Sequence, residues 1–498
     1  MRLLGGQLAL TFCVSGCSIL YNPANLPPPT DDGRLPPDAE VILDADPTAL
    51  ALERVSPTVL FEGDGTGGGR AAVLTIFGSQ MVQGAQVMIT AHAGTGTPMI
   101  TVDNANAQVA SNGRMIAVPV VLAVDPALDA PDKIRLDVTV IQPTPAGDVT
   151  RTLSDLGGDP AKPVLELLGL NELNAGSISL ASGVHEFSSV DLTGTLTAAD
   201  TNGPLIVRAH GAVAIDIANV SGLAQAAGPG GGAGGNGGSK GVIPTKGAKG
   251  LGPGGGLSNG GGGGFGSAGG GAGGGPVAGD AQVTSYASNA GGGGAGGDAT
   301  TLNDGGAGGG GGGTIEITSG GTLAIGTRID AIGGNGAGAN GGAVGGGGGS
   351  GGLVVLRSGV SIAAPAINVG GGTGENPGGN GRIRLDAPAA PTTNPVAYRG
   401  PMFAADTPVL TRVEQPQITV FGEKNKTFQY FFLDENASSV RGPFTQTISP
   451  AGTNMFQIAE PLFRGVNTLC VQVEGAQLSD ERAEARNCIT LAYVFTQP

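Results

Sequence analysis

Hydrophobic and polar positions alternate in two stretches of the chain and recur in short blocks in a third. Over 57–145 the runs Val73–Gly78, Ala85–Ile89, Met115–Val120 and Ile134–Val140 follow period two, with turn residues between them. That pattern predicts short strands at the spacing of a β-sandwich. Over 400–498 the runs Pro416–Phe421, Thr427–Leu433, Met455–Ile458, Asn467–Val473 and Cys488–Val494 alternate or are continuously apolar. They predict a second all-β unit. Most of the aromatic residues fall here, which places the best-packed core at this end.

The middle, 165–390, repeats itself. Leu205 and Val207 are followed by Val213, Ile215 and Ile217; Ile315 and Ile317 by Leu323, Ile325 and Ile329; Val354 and Leu356 by Ile362, Ile367 and Val369. Ile383 and Leu385 open a fourth copy, and Ile178–Leu180 with Val190–Leu192 form a looser earlier one. Each unit is strand, turn (Gly211, Gly320, Gly359), strand, then a glycine tract. A unit has two or three inward positions per strand, too few for a core of its own. Stacked units share one continuous apolar column, the logic of a parallel β-solenoid. The tracts, about 228–313, 333–352 and 370–381, leave two readings open. They are flexible loops, because glycine loses the most backbone entropy on ordering, or they are packed polyglycine II helices, which bond to one another rather than internally.

Three resemblances attach to these segments. The run VLTIFGSQMVQGAQVMIT, with Gly78 closing one strand and Gly84 preceding the next, resembles the IPT/TIG family of immunoglobulin-like domains. This implies a spacer or binding module with no catalytic residues. FRGVNTLCVQVEG followed by NCITLAYV is similar to the last strands of bacterial immunoglobulin-like domains. PLIVRAHGAVAIDI with VSG and GPGGG resembles glycine-rich surface lipoproteins of the myxobacterial type, a family that implies no assigned chemistry. The fold class expected is all-β: an immunoglobulin-like sandwich, a glycine-rich parallel β-solenoid, and a C-terminal immunoglobulin-like sandwich.

The first residues give an address. Met1–Gly16 carries one positive charge, Arg2, before a short apolar stretch, and reads as a secretory signal too short to span a bilayer. Val14-Ser15-Gly16-Cys17 resembles the lipobox of bacterial lipoproteins, which implies that Cys17 becomes the mature first residue and carries the lipid. Ser18 in place of Asp favours the outer membrane. Residues 17–56 are rich in Pro and Asp and predict an extended tether.

Composition narrows the function. The 498 residues include 96 Gly and 33 Pro, with 13% charged residues and a net charge of −15. That balance repels phosphate and argues against a nucleic-acid partner. Cys13 leaves with the signal and Cys17 with the lipid. Cys470 and Cys488 remain as an even pair in an oxidising compartment, and a disulfide is expected; free thiols are the alternative, and no His lies near either for a zinc site. Asp216, Asp330 and Asn368 occupy similar places in their units and suggest a stacked polar ladder, or simply outward polar positions. Calcium would need six to eight oxygens, and the one approximate calcium nonapeptide, Gly293–Thr300, is what so glycine-rich a chain produces by chance. His92, His185 and His210 are scattered. Arg208, Arg357 and Arg384 read as different phases of their units, so no rung-face cluster of the kind a polysaccharide lyase or hydrolase needs is expected. The expectation is a non-catalytic, lipid-anchored envelope protein with a structural or adhesive role, no cofactor, and a membrane, envelope polysaccharide or another surface protein as partner. The alternative is a β-solenoid that binds or degrades polysaccharide.

Overall fold

The computed structural model describes residues 50–62, 70–93, 97–123, 133–154, 164–169, 171–280, 282–283, 290–388, 397–403, 410–433, 440–475 and 487–494. The signal, Cys17 and most of the tether lie outside them. The described chain is all-β, with no α-helix among the described residues.

In the first region, two five-stranded sheets enclose one core. One runs Ala51–Ser56, Arg70–Ser79, Met115–Leu122, Ile100–Val102, and the other Val59–Phe61, Leu165–Leu168, Lys133–Gln142, Gln86–Ala91; Gln108–Val109 and Val149–Leu153 each complete a sheet. Period two puts Leu74, Ile76, Val118 and Val120 of one sheet against Leu136, Val138 and Val140 of the other. The unit is wider than 57–145. Ala51–Ser56, assigned from sequence to the tether, pairs antiparallel with Arg70–Ser79, and Leu165–Leu168, assigned to the repeats, pairs with Lys133–Gln142. Two glycines here have identifiable causes. A Cβ on Gly78 would run into the Ala51 carbonyl, and Gly84 turns the chain at φ +91°.

The C-terminal region pairs Gln417–Phe421 with Met402–Phe403 and Thr453–Gln457, and packs them against a five-stranded sheet built on Thr427–Leu433, Gly465–Val473 and Asn487–Tyr493. Phe428, Tyr430, Phe432, Phe456 and Tyr493 fill the space between. Cys470 and Cys488 are directly opposed on neighbouring strands and are joined by a disulfide. With a sequence separation of 18, replacing both cysteines by alanine should lower stability by about 3 kcal/mol in the loop-entropy treatment. Urea unfolding of the double variant checks this. The first and last regions also touch: Ala492 and Val494 pack with Val73, Ala110, Met115 and Ala117.

The middle holds two wholly parallel sheets. The first is ordered Gly183–Phe187, Leu205–Ala209, Thr314–Ser319, Leu353–Ser358, Arg382–Asp386; the second runs from Leu173–Ala175 and Ile178–Leu180 through Val190–Ala198, Val213–Asn219 and Leu323–Asp330 to Ile362–Ala363 and Ile367–Asn368. Each strand pairs with its equivalent in the next repeat. Leu205, Ile315, Val354 and Ile383 stand in one row, and Val190, Val213, Leu323 and Ile362 in another. Inward residues of both sheets form one hydrophobic column. A register shift after Ile215 turns Ala218, rather than Ile217, into that column beside Ile329.

The described glycine tracts are hydrogen-bonded to one another. Gly232, Gly235 and Gly238 donate to the carbonyls of Gly291, Gly294 and Gly297, while Gly305, Gly308 and Gly311 donate back to Gly238, Gly235 and Gly232. Gly306, Gly309 and Gly312 continue the pattern by donating to Val344, Gly347 and Ser350. Every step is three residues, the repeat of the polyproline II-type helix, which has no internal hydrogen bonds. Buried backbone groups need partners, and here neighbouring tracts supply them. Almost any Cβ on these glycines would strike a neighbouring backbone. The missing side chains are what allow the tracts to approach.

Candidate functional site

The strongest concentration of chemistry lies on the outward face of the first parallel sheet. Because inward and outward residues alternate, the residues between the core positions form columns across the strands. One column is Glu186, Arg208, Thr318, Arg357, Asp386; the next is Val184, Ile206, Glu316, Val355, Arg384. Arg208 and Arg357 therefore share a phase, contrary to the sequence reading, and only Arg384 is offset, by two residues. Each arginine's distance from the turn of its own unit is a poor guide to its phase; the rows of core residues are the better one. Ile315/Ile317, Val354/Leu356 and Ile383/Leu385 already carry the alignment that puts 318, 357 and 386 together. Glu316 and Asp386 were missed for the same reason.

The columns form a buried ionic network. Arg384 Nε donates to both Asp386 carboxylate oxygens at 3.0 Å, and its Nη2 lies 2.9 Å from Oδ2. Arg384 Nη1 donates to the Gln282 carbonyl at 3.0 Å, and the Gly400 N–H donates to Asp386 Oδ1 at 2.7 Å. Arg357 stands between the acids, with Nε 3.5 Å from Asp386 and Nη1 3.8 Å from Glu316. Thr318 Oγ1 donates to Glu316 at 3.0 Å, and Arg208 pairs with Glu186 at 3.4 Å. Glu316 and Asp386 are wholly buried and Arg357 is 3% exposed. Burial pushes the Glu316 carboxyl above its ordinary range, against the pull of Arg357. Phe265, Ala278 and Val283, from within the first glycine tract, pack on Leu353 and Val355 of this face. Tyr398 bridges to Arg384 at the end of the sheet, and burial pushes its phenol up to about 12.

This arrangement has the residue types of acid–base chemistry, but in this conformation their charged ends point into protein. The opposed charges link side chains on neighbouring strands, and Arg384 Nη1 joins the sheet to the Gln282 carbonyl.

The other sequence candidates separate. Asp330 aligns with Asn219 and Asn368, and Asn368 Nδ2 donates to it at 2.6 Å. Asp216 does not join that row. It stands three positions before Asn219, the residue paired with Asp330, and accepts from Thr327 Oγ1 at 2.6 Å instead. The approximate calcium nonapeptide lies within the glycine tracts, where Asp298 Oδ1 accepts the Gly247 N–H at 3.0 Å. His92 contacts Asp137 at 2.9 Å, His185 the Ala181 carbonyl at 2.8 Å, and His210 stacks on Phe61. Among the described residues no three His, Cys, Asp or Glu side chains stand together as a metal site. Compared with family models, with curated proteins and with solved structures, the chain matches none.

Proposed function

We propose that the chain is a lipid-anchored protein of the bacterial outer membrane with a structural or adhesive role. Its two parallel sheets are read as the faces of a glycine-rich β-solenoid carrying a polyglycine II bundle, and the flanking sheet pairs as immunoglobulin-like sandwiches. Cys17 holds the lipid, and envelope polysaccharide or another surface protein is the partner.

One observation carries the structural reading. The glycine tracts bond tract to tract at three-residue steps, so a long part of the chain that is poor in side chains is still locked in place. A body built that way resists deformation and presents its loops at fixed positions. The alternative, a solenoid acting on polysaccharide, draws support from the ionic face of the first sheet, whose Arg357, Glu316 and Asp386 are the residue types such chemistry uses. Their burial favours a structural role.

The test is metabolic labelling of the expressing bacterium with radiolabelled palmitate, together with protease treatment of whole cells. Label should enter the wild-type chain and be lost on Cys17→Ser. Protease should reach the C-terminal region on intact cells. An unlabelled mature chain removes the anchor, and complete shielding in intact cells removes adhesion.

A further inference from the structure

The three most exposed large apolar side chains among the described residues are Val242 (98%), Ile243 (85%) and Leu302 (79%). Singly exposed apolar residues are ordinary on any surface. These three sit on two loops that are fastened to each other. Within 239–249 the Ser239 N–H donates to Thr245 Oγ1 at 2.7 Å, and the Thr245 N–H returns to the Ser239 carbonyl at 3.0 Å. Within 298–304 the Thr300 N–H donates to the Asn303 carbonyl at 2.9 Å. Between the loops, the Lys240 N–H donates to Asp304 Oδ1 at 2.7 Å and the Ala299 N–H to the Thr245 carbonyl at 3.1 Å. Asn303 Nδ2 reaches the Gly341 carbonyl of a third loop at 3.3 Å. The tip is therefore held by its own hydrogen bonds, and its apolar side chains stay outside.

Charge at these two loops differs in sign from that of the whole molecule. The chain carries −15 overall, yet here Lys240, Lys246 and Lys249 outnumber Asp298 and Asp304; Asp304 lies 3.8 Å from Lys240, which leaves Lys246 and Lys249 as the cations the surface presents. The three-residue repeat orders two of them. Thr245, Ala248 and Leu251 accept from Ala299, Gly296 and Gly293, so Lys246 and Lys249 fall together on a different edge of the tract, where both are exposed. Neither loop contains Trp, Tyr, Phe or Arg. Protein-binding hot spots are enriched in Trp, Tyr and Arg, and small-molecule pockets are lined largely by hydrophobic and aromatic side chains in a concave cleft. Exposed aliphatic side chains beside lysines instead match the interface of a bilayer that carries negative charge.

We propose that this tip docks on an anionic phospholipid surface. Val242, Ile243 and Leu302 enter the boundary between headgroups and acyl chains, and Lys246 and Lys249 meet the phosphates. The inference rests on the envelope reading only for where the protein would meet such a surface.

The chain has no Trp, so Val242→Trp in the full-length protein gives a single indole fluorophore at the tip. On phosphatidylcholine–phosphatidylglycerol vesicles its emission should shift to the blue and be quenched by acyl-brominated lipid. Phosphatidylcholine alone should give a much smaller change. Adding Lys246→Glu and Lys249→Glu should weaken the response roughly tenfold or more, since each lysine near an anionic surface contributes substantially. Val360→Trp, at an exposed apolar position outside the tip, should keep the emission of a residue in water. The readout is local, so a chain held on the vesicle by its Cys17 lipid with the tip indole still in water would overturn the docking while leaving the anchor intact. An unchanged emission spectrum of the Val242→Trp protein on anionic vesicles overturns the proposal. So does a shift that survives the two lysine reversals, or one produced by a soluble acidic polysaccharide and not by vesicles.

Discussion

Gly308→Val is expected to lower the stability of the middle region by about 3 kcal/mol or more, whereas Gly338→Ala should leave it within about 1 kcal/mol of the wild type. The two glycines lie in similar sequence and have opposite surroundings in space. A Cβ at Gly308 would fall against the Gly294 carbonyl, inside the 3.0 Å that real Cβ atoms essentially never enter; at Gly338 it would meet nothing within 4 Å. The obstacle at Gly308 is backbone, so no rotamer change relieves it. The tract must move instead, and its bonds from Gly305, Gly308 and Gly311 to Gly238, Gly235 and Gly232 go with it. Three backbone bonds at about 1 kcal/mol each set the scale. At Gly338 an alanine only narrows the unfolded ensemble, worth about 0.4–1 kcal/mol in the stabilising direction where the backbone conformation suits it. Urea unfolding of the two variants, with hydrogen exchange over the tracts, makes the comparison. Equal effects at both positions would mean that the tracts do not pack.

The second large effect concerns the ionic face. Arg357→Met should cost about 3–5 kcal/mol, because it leaves Glu316 and its share of Asp386 uncompensated in a site with almost no access to water. Arg357→Leu combined with Glu316→Leu should cost clearly less than the sum of the single changes, since removing both charges removes the desolvation penalty along with the attraction. The two residues approach only to 3.8 Å, and Glu316 Oε2 makes no hydrogen bond among the described residues. The pair is thus loosely joined for its degree of burial, and one charge without the other is the costly state. A double-mutant cycle followed by urea midpoints reads the coupling. If Arg357→Met costs less than about 1 kcal/mol, the value ordinary for exposed pairs, then the face is solvated and the polysaccharide-acting alternative regains ground.

Much of the fold was legible because side chains mark it. The alternation in Ile134–Val140 and the spacing of Leu205, Val207, Val213 and Ile215 each state a strand and its buried face. The rows across the first parallel sheet follow directly from aligning those apolar pairs. Asp216 falls outside its expected row because it lies one position past the paired Ile215 and Ile325 whereas Asp330 lies five past, an offset that the extra residue in Leu323–Asp330 changes by only one. The first region is wider than its pattern suggests for a related reason. Ala51–Ser56 lies among prolines and acids, and what makes it a strand is the neighbour it pairs with, Arg70–Ser79.

From the amino-acid order alone came the all-β class, the repeat that stacks strand on equivalent strand, and the two cysteines that join. Each is written in side-chain identity at a fixed spacing. The state of the glycine tracts, the burial of Glu316 and Arg357, and the latching of Val242 and Leu302 onto one tip were decided only in three dimensions. A residue without a side chain carries no pattern to read, and its conformation is set by whichever distant backbone offers it a hydrogen bond. A charge on a strand is likewise exposed or buried according to what folds across it, and here Phe265 and Val283, from within a glycine tract, pack on the same face of the sheet.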